Sequence, residues 1–234
     1  MGRRASKRVP RDVRIERLLD AAAKRIAVDG IDGLRVTSLA DDLGFTAAAL
    51  YRYFDSKDAI LAALVLREIK SARRRLLDVI EDLANLPVAA DLNGPARSLL
   101  VLLASARLQH DVSVRSPRGF ALMAVTLTEP RQLMGQDKDG PVNLEFLALV
   151  QTLGQQCEQA VTAGSIKPGS ASNRALLLIF CEQGILTLTK MALWFPELID
   201  TAALGAEMAN ALLLSWGADS EQISQAQAVL DDAI

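Results

Sequence analysis

The chain has 234 residues, of which 50% are hydrophobic and 23% are charged, and its formal net charge is −2. This length and apolar fraction exclude an intrinsically disordered chain and allow one large or two small domains with a sizeable core. The longest stretch without a charged residue runs for twelve residues, from Phe146 to Cys157. That is shorter than the roughly 18 apolar residues that predict a membrane-spanning helix, so we expect no membrane partner.

Sequence patterns typical of enzymes and metal sites are absent from the chain. It has one histidine and two cysteines, Cys157 and Cys181, which do not form a CxxC pair. It contains no GxGxxG, P-loop, HExxH or GxSxG motif. We therefore predict no catalytic residues, no metal site and no cofactor. The basic N-terminus is followed by proline and further charges, which predicts no secretory signal and a cytoplasmic location.

Charge is unevenly distributed along the chain. Residues 1–75 contain 17 Lys and Arg against 10 Asp and Glu, a net charge of +7, whereas residues 76–234 contain 9 against 18, a net charge of −9. Such asymmetry indicates an N-terminal part that meets a polyanion and a remainder that does not. A solvated basic tail is the alternative interpretation of the first eight residues.

Apolar residues recur at helical spacing almost throughout and no stretch alternates as a strand does, so the predicted fold class is all-α. The N-terminal helices are predicted at about 12–30, 37–44, 46–54 and 56–83. Thr37, Thr46 and Ser56 are the expected N-caps of the last three, and Gly30 is suited to end the first. Proline and glycine breaks separate six further predicted helices, at roughly 96–110, 118–128, 141–163, 171–193, 197–216 and 220–232.

The second and third predicted helices are short and are joined by a tight turn at Gly44. Helices of about seven residues are not stable by themselves, so these two must pack within a larger unit. Leu39, Leu43, Phe45 and Leu50 are the expected apolar contacts between them and with the first helix. The pattern indicates a helix-turn-helix unit, whose second helix enters the major groove of DNA, although an ordinary corner between two helices gives a similar pattern.

The stretch from Val36 to Leu61, VTSLADDLGFTAAALYRYFDSKDAIL, closely resembles the signature of the TetR family of transcriptional regulators. The resemblance covers residues 12–62. It implies an N-terminal three-helix helix-turn-helix DNA-binding domain, followed by a larger C-terminal helical domain for ligand binding and dimerisation. We accordingly expect a basic flexible arm at 1–11, the DNA-binding domain at 12–56 and the regulatory and dimerisation domain at 57–234.

The resemblance also implies which residues contact DNA. They are Thr37, Thr46, Ala47, Ala48, Tyr51, Arg52, Tyr53 and Lys57, together with Arg3 and Arg4 of the arm. The family commonly has a hydroxyl at the position of Ala49, and alanine side chains there touch thymine methyl groups without hydrogen bonding. Direct readout of bases then falls to Thr46, Tyr51 and Arg52, with the N-terminal arm as a further candidate. For Tyr53, packing against the first helix is an equal alternative.

For the C-terminal domain, the resemblance implies a ligand pocket between the central helices. The expected ligand contacts are Arg107, His110, Phe120, Met123, Phe146, Phe180 and Gln183, with Glu182 as a further polar candidate. The resemblance also implies a homodimer through the helices near 171–193 and 197–216. Gly184, Gly205 and Ala209 would allow close approach of helices there, although an intrachain core explains them equally well.

These observations predict a ligand-responsive DNA-binding regulator, most simply a repressor that binds a palindromic operator in double-stranded DNA as a dimer. A small and hydrophobic effector, of unknown identity, is expected to release it. The alternative is a helical protein-interaction module with a vestigial helix-turn-helix, to which the run of three alanines gives some weight. Salt separates the two, because only a DNA-binding protein loses affinity for DNA steeply as salt rises.

Overall fold

The computed structural model describes residues 10–90, 92–115, 122 and 136–233. These residues form helices and no strand, which confirms the all-α fold class. The helices are α1 (Arg11–Gly33), α2 (Val36–Asp42), α3 (Ala47–Tyr51), α4 (Lys57–Asn85), a 3₁₀ turn (Pro87–Ala90), α5 (Gly94–Arg115), α6 (Gln136–Thr162), α7 (Ala171–Leu186), α8 (Thr189–Ala192), α9 (Thr201–Ser215) and α10 (Ser220–Ala233). Most of the helix predicted at 118–128 lies outside the described residues.

The chain divides into two compact units, and the boundary between them falls inside α4, after Glu68. The described part of the first unit is residues 10–68, Leu122 and 136–142, and that of the second is 69–115, without residue 91, and 143–233. Arg67 of α4 forms ion pairs with Glu16 and Asp20 of α1, so the first half of α4 is part of the N-terminal unit. The predicted domain limits at residues 11 and 56 stay predictions.

The second unit is built around α5, which packs against α7, α9 and α10. Leu99, Leu100, Leu102 and Leu103 of α5 are all buried. These residues lie within little more than one helical turn and cover an arc of about 160° around its axis, which is wider than a single stripe, so α5 is enclosed on several sides and forms the centre of this unit. The helices around it supply Leu178, Leu213 and Leu230, which are buried in turn and complete the core.

Several helix ends differ from the sequence prediction. The helix predicted at 171–193 ends at Leu186, because the hydroxyl of Thr187 donates to the carbonyl of Gly184 and that of Thr189 to the carbonyl of Leu186. Such local bonds compete with helical ones. Thr37 is not the N-cap of α2. Arg35 occupies that position without a side-chain bond, since the helix already begins at the buried Val36.

One segment of the described residues, Ala171–Ala192, has the length and mean hydropathy, 1.4, of a membrane-spanning helix. This segment includes α7, which packs against α5 and α9 inside the second unit. Arg174, Glu182 and Gln183 of α7 are buried there. A helix that buries polar groups against protein neighbours has the character of a core helix, and the length criterion alone is weak evidence for a membrane span.

Candidate DNA interface and ligand cavity

The turn between α2 and α3 is a glycine-dependent helix ending. Gly44 adopts a φ of 67°, in the left-handed region. The N–H of Phe45 donates to the carbonyl of Ala40 at 2.9 Å, and the N–H of Gly44 donates to that of Asp41 at 3.1 Å. These two bonds form a Schellman motif, which satisfies the last carbonyls of α2 and reverses the chain direction. The turn thereby fixes the angle at which α3 leaves α2.

α3 is a short helix that begins where the sequence predicts. The side chain of Thr46 accepts a hydrogen bond from the backbone N–H of Ala49 at 3.2 Å, so Thr46 is the N-cap. Leu50 is fully buried and anchors the helix. The helix has only five residues, and the chain continues through a turn in which the N–H groups of Tyr53 and Phe54 both donate to the carbonyl of Leu50.

The outer face of α3 presents most of the residues expected to meet DNA. Thr46, Ala48, Tyr51 and Arg52 are exposed, and Ala47 is half-buried. Thr37 is exposed in the first turn of α2. Because α3 is held from behind by Leu50, its exposed side chains project as a group on one surface of the first unit. Arg3 and Arg4 lie outside the described residues.

Tyr53 is tied to the first helix. The guanidinium of Arg14 on α1 donates to the hydroxyl oxygen of Tyr53 at 3.2 Å, and this bond lowers the pKa of the Tyr53 hydroxyl below its ordinary value. The contact agrees with the packing alternative for this residue. It leaves the phenolic proton free to be donated to a further acceptor, because the oxygen here acts only as acceptor.

Lys57 is the first residue of α4, and its side chain is half-buried. The hydroxyl of Ser56 accepts a hydrogen bond from the N–H of Ala59 at 3.1 Å, so Ser56 caps this helix as the sequence predicts. Asp58 lies in the same first turn. A lysine beside the N–H groups at the start of a long helix is a favourable site for a phosphate oxygen.

Ion pairs and apolar packing hold these short helices in place. Arg25 of α1 forms a bidentate ion pair with the carboxylate of Asp42 on α2, with nitrogen–oxygen distances of 2.6 to 2.9 Å. Leu18, Leu39 and Leu50 are fully buried among the helices. Phe45, which the sequence assigns to this core, is instead 36% exposed. It follows Gly44 in the turn, where the reversal of the chain directs its side chain toward the surface.

A cavity of about 290 Å³ lies in the second unit between α5, α7, α9 and α10. Its apolar wall comes from Leu103, Leu230 and the alanines of α9. The polar groups that line it are Arg107, His110, Asp111, Glu182, Gln227 and Asp231. An apolar pocket with a few convergent polar groups is the usual form of a small-molecule site.

Glu182 is the most unusual of these polar groups. Its side chain is 1% exposed, and its Oε2 has no hydrogen-bond partner within the described residues. Burial raises the pKa of its carboxyl to about 7. Gly205 of α9 faces it so closely that a Cβ at Gly205 would lie 2.8 Å from Oε2. The carboxyl group therefore stands at the cavity wall with an unfilled capacity for hydrogen bonding.

The structure brings only some of the predicted ligand residues together. Arg107 and His110 line the cavity, and Arg107 donates to Asp231 of α10 at 2.9 Å. Gln183 is buried but does not line the cavity. Phe146 and Phe180 pair with each other elsewhere, with ring centroids 6.1 Å apart. Phe120 and Met123 lie outside the described residues.

Sequence reasoning missed the contribution of α10 to this cavity. Gln227 and Asp231 are four residues apart, so they lie on one face of the helix, and Gln227 donates to Asp231 at 3.2 Å. The spacing of these two polar residues is visible in the sequence. The ion pair between Asp231 and Arg107 is not visible in the sequence, because 124 residues separate the two.

Comparison with known proteins gives a family and a fold. Residues 18–64 match the model of bacterial regulatory proteins, tetR family. An uncharacterised HTH-type transcriptional regulator of Mycobacterium tuberculosis, Rv1255c, is 29% identical over 125 residues, which are 53% of this chain. The chain thus spans about half, 54%, of that relative's length.

Two solved structures with ligands show the same fold over most of the chain. AibR, in complex with isovaleryl coenzyme A and operator DNA, has a TM-score of 0.59 and 22% identity, covering 86% of this chain and 98% of its own. FadR from Bacillus subtilis, in complex with stearoyl-CoA, has a TM-score of 0.63 and 16% identity, covering 85% and 97%. At such identities the likeness concerns the fold alone.

Proposed function

We propose that this chain is a repressor that binds an operator in double-stranded DNA. Residues 18–64 make it a member of the TetR family of bacterial regulatory proteins. Proteins of this family regulate transcription and are not enzymes. The observation that carries the proposal is the outer face of α3. A buried Leu50 and a capped N-terminus hold this short helix rigidly, while Thr46, Ala48, Tyr51 and Arg52 remain exposed.

The chemistry of this face suits contacts to both bases and phosphates. Thr46 and Arg52 carry hydrogen-bonding groups for base edges, and Ala47 and Ala48 offer methyl groups that fit beside thymine. Tyr51, Tyr53 and Lys57 are proposed to contact the backbone, where hydroxyl and ammonium groups position a protein without reading sequence, and Tyr51 is also proposed to reach a base. Thr37 adds a hydroxyl, and Arg3 and Arg4 add charge for an adjacent minor groove.

The proposed regulator acts as a homodimer, since one short helix reads few bases and a two-fold dimer reads two half-sites about 34–36 Å apart. The helices near 171–193 and 197–216, which the structure has as α7 and α9, carry the proposed interface. Gly205 and Ala209 are buried inside the chain, so they do not form its centre. The centre of the proposed interface is formed instead by exposed residues, Leu177 and Phe180 of α7 and Leu214 of α9.

The exposed apolar residues continue beyond the two helices. Leu193, Trp194, Phe195 and Leu198, between α8 and α9, are more than half exposed. An exposed apolar segment of this kind is unfavourable in water and typical of a protein contact. A second copy of the chain is the partner that the family implies. The proposed dimer would then contain two copies of α3, one for each half-site.

We propose that the protein is cytoplasmic. Its regulation is proposed to come from a small effector that binds in the second unit. Ligands shift an equilibrium only as far as they bind one conformation better than another. An effector that favours a dimer with the wrong spacing of its two α3 helices would weaken both half-site contacts together. The cavity beside Glu182 is the candidate effector site, with an apolar wall that suits a hydrophobic body.

Selection of bound sequences from random double-stranded DNA tests this function. The expected product is a palindrome with two half-sites one helical turn apart, bound with an affinity that falls steeply as salt rises. The vestigial alternative predicts little DNA binding at any salt concentration. Failure to select any sequence at low salt, with a folded protein, would overturn the proposed function.

A further inference from the structure

The cavity of the second unit contains a carboxyl oxygen that no group among the described residues satisfies. Oε2 of Glu182 has no hydrogen-bond partner within the described residues, although the side chain is 1% exposed. Buried polar atoms nearly always have a partner, and one without a partner calls for a specific explanation. Gly205 lies directly against this carboxyl group, so a Cβ at position 205 would come within 2.8 Å of Oε2 and a larger side chain there would displace the carboxyl.

The guanidinium group of Arg107, which lines the cavity, already has a partner within the chain. Arg107 donates to Asp231, and Asp231 accepts from Gln227 as well. The lining therefore contains three carboxyl groups, those of Asp111, Glu182 and Asp231, against one guanidinium, with His110 as the remaining titratable group. This excess of carboxyl groups favours a positively charged occupant over an anion.

The rest of the wall sets the size and polarity of the occupant. The apolar part of the lining is formed by Leu103, Leu230 and the alanines at 202, 206 and 209. A cavity of about 290 Å³ is at the lower end of the range of roughly 300–1,000 Å³ for small-molecule sites. A compact molecule with one polar end and an apolar body fits these walls.

We propose that this cavity binds a small organic ammonium ion, whose N–H groups donate to the carboxylate of Glu182 while its apolar body packs against Leu103, Leu230 and the alanines of α9. Burial favours the protonated form of this carboxyl group. A cation bound beside it favours the carboxylate and so offsets the effect of burial. The inference depends on the proposed function only for its regulatory meaning, because binding is measured on the protein without DNA.

Calorimetric titration of the full chain with matched probes tests the proposal. Benzylamine, cyclohexylamine and phenethylamine are the cationic probes, benzyl alcohol is the neutral control, and benzoate is the anionic control. We expect at least one of the amines to bind with one-to-one stoichiometry and about tenfold or more tighter than either control, the effect of a charge-assisted hydrogen bond. If no amine binds more tightly than benzyl alcohol, the proposal is wrong.

Two variants assign the contact to one side chain. Glu182→Gln keeps the shape but removes the charge, and we expect it to lose about tenfold or more in amine affinity without a change for benzyl alcohol. Glu207→Gln removes an exposed carboxylate of α9 outside the cavity lining and should bind amines as the wild type does. Wild-type amine affinity in Glu182→Gln, with helical content confirmed by circular dichroism, would also overturn the proposal.

Operator binding measured in parallel separates this inference from the proposed function. Amines that fail to bind, with operator binding intact, overturn the ammonium site and leave the DNA-binding function standing. Absence of DNA binding at low salt overturns the function, and an amine affinity that depends on Glu182 would still support the site.

Discussion

Lys57 illustrates how one side chain obtains its role from the helix that carries it. It is the first residue of α4, directly after the capping Ser56, and it lies beside N–H groups that have no partner within the helix. The positive end of the helix and the ammonium group act on the same phosphate oxygen. A contact of this kind adds affinity for any DNA sequence and carries no base preference.

Replacement of Lys57 with Ala is therefore expected to weaken binding to operator and to random DNA by the same factor. The slope of the logarithm of affinity against the logarithm of salt should fall by roughly one unit. Lys70→Ala is the matched control, since it removes an exposed lysine thirteen residues further along the same helix. Fluorescence anisotropy at several salt concentrations measures both variants. A changed operator preference in Lys57→Ala would contradict the assigned role.

Glu182 makes stability depend on pH in a direction opposite to that of most carboxylates. Burial raises its pKa to about 7 from an ordinary value of 4.5. The folded chain therefore retains this proton over a range of pH in which the unfolded chain has lost it. The free energy of unfolding must then fall as pH rises from about 4.5 to about 7, by up to about 3 kcal/mol from this group.

Glu182→Gln is expected to remove this pH dependence. Relative to the wild type, the variant should gain stability at pH 8, where the wild type must hold a buried carboxylate, and gain little at pH 4.5, where Glu182 is neutral. Arg107, His110, Asp111 and Asp231 line the same cavity in both proteins, so the comparison isolates the change at position 182. Urea unfolding at both pH values measures it, and an equal difference at both would refute the assignment.

At the scale of the element, the helix-turn-helix depends on a single left-handed residue. Gly44 at φ 67° closes α2 and sets the direction of α3. No heavy atom lies within 4 Å of a Cβ placed there, so space does not limit this position. The backbone conformation does, because a side chain in the left-handed region meets its own carbonyl oxygen.

Gly44→Ala is therefore expected to lower the free energy of unfolding by about 1–2 kcal/mol. Gly154→Ala is the matched control, because a Cβ at that glycine of α6 would make only ordinary contacts at 3.7 Å and its φ is not positive. The control should be neutral or slightly stabilising, since alanine reduces the entropy of the unfolded chain. Thermal or urea unfolding of the two variants compares them directly. An equal loss in both would show that the turn geometry is not the cause.

At the scale of the whole molecule, α9 carries two surfaces of similar composition. Ala209, 2% exposed, and Leu213 face the core, whereas Leu214, 49% exposed, faces outward. A charge introduced on the first surface is buried within the chain and destabilises the fold. A charge on the second surface costs the monomer little and is desolvated only where a second chain covers it.

Leu214→Asp is expected to convert the proposed dimer into a folded monomer, with operator affinity falling by orders of magnitude because two linked contacts become one. Leu144→Asp introduces the same charge at a residue of α6 that is 69% exposed and should leave the dimer intact. Ala209→Asp should unfold the chain instead. Sedimentation combined with circular dichroism distinguishes the three results. A wild type that sediments as a monomer at micromolar concentration would refute the dimer itself.

Local signals account for what the sequence determined by itself. Thr46 and Ser56 cap their helices, Gly44 takes a positive φ at the end of α2, and Gly30 takes one at a kink inside α1, three residues before that helix ends. Each of these features depends on atoms within a few residues of chain, so residue type and spacing are sufficient to predict it. Helical periodicity extended this to the all-α class and to most helix positions, with errors at the helix ends that reach seven residues where the helix predicted at 171–193 ends at Leu186.

Only the tertiary structure decided which faces of the C-terminal helices point inward. The helix α9 is rich in Ala and Leu on nearly every side, so its sequence does not separate the core face at Gly205 and Ala209 from the outer face at Leu214. The cavity likewise needs α5 beside α10 and Glu182 beside Gly205. Such contacts join residues far apart in the chain, and their geometry depends on how all the helices pack at once.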